Sequence, residues 1–217
     1  MWSDSVYAVI KGCNSLKTVI PKSIYGSDSV YAVITNMHYP EVRNIHRPAH
    51  LYFDAMVYFV SASTLHQKPF FNTDAKKQFI KNALDSAVKK YGYTLYAWTI
   101  LDDHFHILFK TGAGKWLPRF LGNIKGRSSC KLNRLEGKMG RRVWFQYWDV
   151  CIRDKSDFYT RLNYIHYNCV KHGYTQKMSE YKWTSFHSFV EKYGVEWVNS
   201  CLKEYPIVDF TPKGEND

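Results

Sequence analysis

With 217 residues, 45% of them hydrophobic and 17% aromatic, the chain suffices for one well-packed domain and is too short for two large ones. Its 30 lysines and arginines against 19 acids give a formal charge of +11, which points to a polyanionic partner. No apolar run approaches the ~20 residues that span a bilayer, the N-terminus lacks the basic-then-apolar order of a secretion signal, and Cys13, Cys130, Cys151, Cys169 and Cys201 show no Cys-x-x-Cys pairing, so a membrane anchor, a disulfide framework and a zinc cluster are not indicated and a reducing cytoplasm is expected.

In chain order, the first 36 residues stand apart. Ser-Asp-Ser-Val-Tyr-Ala-Val-Ile occurs at 3–10 and again at 27–34, and an octapeptide repeated once does not build a solenoid, which needs several stacked units. The expectation is that 1–36 is translated repetitive DNA upstream of the real start at Met37, the alternative being a genuine leader. Residues 37–210 then form a single domain and 211–217 a disordered tail. Residues 51–63 are rich in β-formers and read as a first strand. Residues 74–91 carry Phe79, Ile80, Ala83, Leu84, Ala87, Val88 and Tyr91 at helical spacing, with Gly92 as the stop. Residues 94–100 form a strand, and Leu101-Asp102-Asp103 a tight turn into the strand that starts at His104. Because residues two apart on a strand share a face, His104 and His106 converge there while Phe105, Ile107 and Phe109 point the other way. Two imidazoles on a rigid element can hold a divalent ion, although paired strand histidines also occur as plain surface residues. Asp102 and Asp103 either orient an imidazole or begin the strand.

A second helix fits within 116–135, with a start made irregular by Pro118, Gly122 and Gly126. The stretch 112–148 holds most of the net charge: Lys115, Arg119, Lys125, Arg127, Lys131, Arg134, Lys138, Arg141 and Arg142 against Glu136 alone. Such a patch suits phosphates, and the interleaved Trp116, Phe120, Trp144, Phe145, Tyr147 and Trp148 suit unpaired bases, although most of these rings belong to a core and a solvated basic helix is the bland alternative. A further edge strand fits 150–153. Residues 157–173 read as a helix capped by Ser156 or Asp154 and closed by Gly173. At about 100° per residue, Phe158, Leu162, Ile165 and Cys169 form its packing stripe. Arg161, Tyr164, Asn168 and Lys171 lie along one flank, with Tyr164 and Asn168 stacked at i and i+4. Tyr159 falls on the other flank and Tyr167 opposite the stripe, so the geometry favours Tyr164 if one tyrosine does chemistry. His166 and His172 read as structural or phosphate-contacting. Residues 181–186 form an aromatic anchor.

The β-α-β-β-α-β order is that of a ferredoxin-like or RRM-like α+β unit, an antiparallel sheet with helices packed on one face and the tyrosine-bearing helix facing the histidines. The strand with His104-Phe105-His106, then Val143-Trp144-Phe145-Gln146-Tyr147-Trp148-Asp149, Ile152-Arg153-Asp154, and Tyr164-Ile165-His166-Tyr167-Asn168-Cys169-Val170-Lys171-His172-Gly173, occur in that order. Over roughly 50–190 this resembles the single-tyrosine HUH transposases of the IS200-like family, especially the subgroup associated with repetitive extragenic palindromes (REP). One departure is Cys169, where the family usually has proline.

The resemblance implies that Tyr164 is a nucleophile and that His104, His106 and Asn168 hold Mg²⁺ or Mn²⁺, while the charge pattern makes Lys115, Arg119, Lys125, Arg127, Lys131, Arg134, Arg161 and Lys171 the expected DNA contacts. A tyrosine hydroxyl, with an unperturbed pKa of about 10, needs a polarised phosphate or a lowered pKa to attack. The implied activity is transfer of single-stranded DNA at hairpin sites through a 5′-phosphotyrosine, without ATP, by a monomer or homodimer in the cytoplasm with the nucleoid. Two other readings stay open: a catalytically inactive, structure-specific DNA-binding protein, and a metal-dependent DNA hydrolase in which the tyrosine is structural.

Overall fold

The computed structural model describes residues 52–210, so the expectations for the 1–36 leader, for Met37 and for the 211–217 tail lie outside the described residues. The elements are β1 (Val57–Thr64), α1 (Asp74–Tyr91), β2 (Thr94–Ile100), β3 (His104–Lys110), α2 (Leu117–Leu135), β4 (Trp144–Cys151), α3 (Lys155–Lys171), α4 (Phe186–Tyr193) and α5 (Val195–Glu204). All strand pairs are antiparallel and the sheet order is β2-β3-β1-β4, the ferredoxin-like arrangement that the element order predicts.

Local chemistry explains most boundaries. The Thr73 side chain accepts from the Lys76 amide at the start of α1, and Gly92 ends it at φ 64, a left-handed conformation that glycine adopts without strain. The β2–β3 turn closes through Leu101 N to His104 O at 2.8 Å. Pro118 falls in the first turn of α2, where no helical N–H is required, so the irregularity is confined to a short 3₁₀ turn at Gly114–Trp116. Gly122 and Gly126 face open space and the helix runs through both. At Gly114 no other residue fits, because a β-carbon there would sit 2.3 Å from the Phe53 carbonyl oxygen.

The last strand starts at Trp144, earlier than the 150–153 segment expected from sequence. The Trp144 ring is buried between Phe71 and Phe105, and the strand pairs with β1 through a bulge that offsets its alternation. Cys169 lies inside α3, which continues to Lys171 as the Asn168 carbonyl accepts from the His172 amide. The helix end is therefore intact without proline.

The sheet carries helices on both faces, where one face was expected. Tyr58, Val60, Ala62, Phe105, Ile107 and Phe109 pack against α1 and α2, forming one core with Ile80, Leu84, Phe120 and Ile124. The opposite face is also apolar at Val57, Phe59, Ala97 and Leu108, and these need cover of their own, which α3 supplies through Leu162 and Ile165. Behind α3, α4 and α5 close this second core with Phe186, Phe189, Val198 and Cys201, and Asn163 donates to the Cys201 and Tyr205 carbonyls. Neither helix was anticipated, although the spacing of Phe186, Phe189 and Val190 and of Val198, Cys201 and Leu202 is helical. The aromatic anchor is present and seals the β2 edge: Ile100 N donates to Trp183 O, Ser185 N to Trp98 O, and Tyr181 Oη to Ile100 O. The other edge, β4, exposes Phe145 and Val150.

Candidate functional site

On β3, His104 and His106 project from the face that α3 covers, and α3 brings Tyr164 and Asn168 onto them. The two imidazole centroids are 5.0 Å apart, and the Tyr164 ring lies 5.3 Å from His106, edge-on. Asn168 is fully buried, with Oδ1 3.0 Å from His104 Nε2. On the other side of that ring, His104 Nδ1 sits 2.6 Å from Asp103. This carboxylate orients the imidazole and turns its other nitrogen, Nε2, toward Asn168 Oδ1. Burial would raise the Asp103 pKa, but the bond and charge of His104 outweigh it and hold the carboxyl below its usual range.

His106 is buried, stacked on Phe59 at 5.5 Å, and neither ring nitrogen has a hydrogen bond of ordinary geometry, although the Asn168 side chain is close enough to favour its charged form. Burial, then the positive charges of His104, His172 and Lys171, push its pKa well below normal, so the ring is neutral and keeps a lone pair. Such an orphaned nitrogen costs stability unless it serves a ligand. Among the described residues no three or more His, Cys, Asp or Glu side chains form a metal cluster. The set that converges here is two imidazoles and an amide oxygen, a mixture suited to Mn²⁺ or Mg²⁺.

These groups open into a cleft of about 280 Å³. Tyr164 is 3% exposed, with Phe210 edge-on at 5.3 Å, and Lys171 Nζ lies 3.4 Å from its hydroxyl and 2.6 Å from Asp209. Burial works against the Lys171 charge, but the Asp209 hydrogen bond and the neighbouring Tyr164 prevail and raise its pKa, so it is cationic at neutral pH. Arg161 lines the cleft between Phe59 and Phe210 and donates to Asp157 at 2.6 Å.

Of the residues singled out in the sequence, Tyr164, His104, His106, Asn168, Arg161 and Lys171 are therefore brought together. Lys115, Arg119, Lys125, Arg127, Lys131 and Arg134 are not: they sit on or just before α2, on the opposite face of the sheet. Lys115 and Arg119 flank the Trp116 ring, and Arg127 donates to Ser86 of α1. Lys125 is half-buried, donating to the Phe145 carbonyl, and burial followed by Arg142 lowers its pKa to about 8. Tyr159 is buried against Tyr205, and His166 is enclosed between Phe186 and Phe189 with Nε2 3.0 Å from Ser185 Oγ.

Several cleft residues were not assigned to the site, although His172 and Trp148 were named from the sequence. His172, read as structural or phosphate-contacting, lies 4.7 Å from His104, and burial, then His104 and Lys171, push its pKa to about 4. Its place one turn beyond Asn168 was the available signal. Ser61, Ser63 and Trp148 follow from strand parity once the pairing register is known, whereas Gln67 and Phe210 come from segments with no periodic signal.

Comparison with known proteins adds an independent line. A family model described as "Transposase IS200 like" matches residues 53–168. A Haemophilus influenzae protein assigned by name to the REP-associated tyrosine transposases is 29% identical over 160 residues, covering 65% of this chain and 86% of that protein. The REP-associated tyrosine transposase of Escherichia coli is 23% identical over 124 residues, covering 55% and 72%. A solved REP-associated tyrosine transposase bound to a REP hairpin aligns with a TM-score of 0.59 at 20% identity, over 67% of this chain and 86% of that one, a likeness of fold.

Proposed function

The chain belongs to the IS200-like transposase family, whose model spans more than half of it, and on that premise we propose that it is a metal-dependent strand transferase for hairpin-bearing single-stranded DNA. The observation that carries this reading is the packing of the Tyr164 ring against His106, a buried neutral imidazole without a hydrogen-bonded nitrogen, while Asn168 Oδ1 faces His104. In the proposed reaction Tyr164 Oη attacks the scissile phosphorus and gives its proton to water, and the bond from phosphorus to the 3′ oxygen breaks as that oxygen takes up a proton from water. A 5′-phosphotyrosine and a free 3′-hydroxyl result, and attack of a 3′-hydroxyl on the phosphotyrosine reverses the step on the same or another strand. The phosphodiester energy is conserved, so no ATP is needed.

Lys171, cationic and 3.4 Å from the hydroxyl, offers its charge to a phosphate brought to Tyr164. Arg161, held by Asp157 in the same cleft, offers a fixed positive charge toward a phosphate. His104, His106 and Asn168 would hold Mg²⁺ or Mn²⁺, with Asp103 orienting His104. When bound, such an ion polarises the scissile phosphate and stabilises the charge that builds on it. The exposed cations on and just before α2, Lys115, Arg119, Arg127, Lys131 and Arg134, then serve DNA outside the cleft. No helix among the described residues is long and apolar enough to cross a membrane, and a DNA substrate places the protein with the nucleoid.

The test uses purified protein, end-labelled single-stranded DNA from palindromes flanking the gene, and Mg²⁺ or Mn²⁺, resolved on a denaturing gel beside Tyr164→Phe. A metal-dependent protein–DNA adduct in the wild type alone supports the reading. Cleavage without an adduct would indicate a hydrolase, and tight binding with neither a silent DNA-binding protein.

A further inference from the structure

The cleft continues past Tyr164 toward the open edge of the sheet. Strand register lays out that extension: Ser61 of β1 sits between His106 of β3 and Trp148 of β4, and Ser63 is opposite His104, all on one face. Two small hydroxylated residues thus form a low floor between the imidazoles and an aromatic ring at the edge. The cleft also includes Gln67. Gln67 belongs to a turn in which two successive residues with β-carbons, His66 at φ 56 and Gln67 at φ 49, adopt left-handed conformations. Non-glycine residues persist there only when their surroundings dictate it. Here hydrogen bonds pin the turn from three sides: Thr64 N to Asp103 O, Leu65 N to Val143 O, and Thr64 Oγ1 to Lys68 O. The same contacts that fix the His104 strand therefore fix Gln67.

This end of the cleft does not suit a phosphate. Ser61, Ser63, Gln67 and Trp148, which line it, are all neutral. An aromatic ring, a small floor and a carboxamide suit a neutral unpaired base, which stacks on the ring and offers its edge to the amide. A glutamine side chain presents a donor beside an acceptor, which matches adenine bidentately. We propose that Trp148 and Gln67 form a base-reading subsite for the nucleotide flanking the scissile phosphate, Trp148 stacking on the base and Gln67 selecting adenine; this rests on the reading of Tyr164 as the DNA nucleophile.

The experiment takes hairpin oligonucleotides that differ only in the nucleotide on either side of the cleaved bond. Adduct formation is followed with the full-length wild type, and binding of the same set is titrated against Tyr164→Phe, so that base preference is read even without chemistry. Adenine at one flanking position should be favoured by about ten-fold or more. Gln67→Gly removes the amide and relieves the left-handed residue, so its base preference should fall to about two-fold or less, the loss of a bidentate contact. Trp148→Ala should weaken all four substrates alike, by about ten-fold, because stacking is indifferent to sequence. His66→Gly gives the same backbone relief one residue earlier and should keep the full preference. An unaltered preference in Gln67→Gly, or no preference in the wild type by either readout, overturns the subsite. A base preference in binding that Gln67→Gly abolishes, with no adduct in the wild type, would uphold the subsite and sink the transferase reading.

Discussion

The two faces of the sheet are built by alternate residues of the same strands and do opposite things. On β3, Phe105, Ile107 and Phe109 enter a dry core under α1 and α2, while His104 and His106, one residue out of phase, face a cleft, where both ring nitrogens of His106 are unsatisfied. On β1, Tyr58, Val60 and Ala62 contrast with Ser61 and Ser63 in the same way. At the His104 end of the sheet, stability and the proposed chemistry are thus separated by parity, and substitutions at neighbouring positions there should damage one without the other.

The largest effect is expected on the cleft face. Tyr164→Phe removes one hydroxyl from a ring that still packs against His106, Phe59 and Phe210. Adduct formation should fall by at least about a thousand-fold, as for loss of a nucleophile, with the melting temperature and DNA affinity nearly unchanged. Retention of the adduct would move the nucleophile elsewhere.

On the core face, Phe105→Ala should cost about 3–5 kcal/mol, read as a lower urea midpoint, because Phe105 is 1% exposed and packs edge-on to Trp144. Its neighbour should behave in the opposite way. His106→Leu replaces an orphaned imidazole with an apolar side chain, so the metal-free protein should be as stable as wild type or more so. The wild type should gain about 2.7 kcal/mol at a Mn²⁺ concentration one hundred times its Kd, and His106→Leu should gain little. A Mn²⁺ gain equal to that of wild type would remove His106 from the ligand set.

Acid should act on both sides of α3. Burial, then His187, push the pKa of His166 down to about 3, and His172 is pushed to about 4. Both are depressed bases, so below the ordinary histidine pKa of about 6.5 the unfolded chain takes up protons that the folded chain refuses. Stability should be level above pH 6.5 and fall as pH drops toward 4, by on the order of 1.4 kcal/mol per pH unit for each fully buried histidine. Less is expected from His172, which is half-buried. Urea midpoints between pH 7 and 4 measure the slope, and a flat profile would mean that these rings are accessible to protons in the folded state.

How much of this was legible in the sequence follows the same division. Elements with local signals were readable: α1 from its period and Gly92, and the hairpin from the alternation around His104 and His106. Tyr164 and Asn168 were readable as i and i+4 on one flank of α3. What depended on pairing between distant segments was not. The start of β4 hinges on a bulge opposite Thr64, α4 and α5 matter only because α3 has a second side to cover, and Gln67 reaches the cleft through a turn held by Asp103 and Val143. The basic stretch at 112–148 shows the limit most directly. It lies between the two motifs in sequence, but most of it folds onto α2, across the sheet from the cleft.

That separation sets the smallest predicted effect. If DNA wraps from the cleft onto α2, exposed Lys131 and Arg134 contribute screened phosphate contacts and little else. The double change Lys131→Ala and Arg134→Ala should then weaken binding only a few-fold near physiological salt, and it should flatten the plot of log affinity against log salt by about 0.7 per lost contact on single-stranded DNA. Lys125→Ala should behave differently. Its ammonium is already committed to the Phe145 carbonyl and lies over Tyr147, so its loss should disturb the β4 edge more than the salt slope. Equal salt slopes for the wild type and the double variant would confine the DNA to the cleft face, leaving the charge of α2 to solubility.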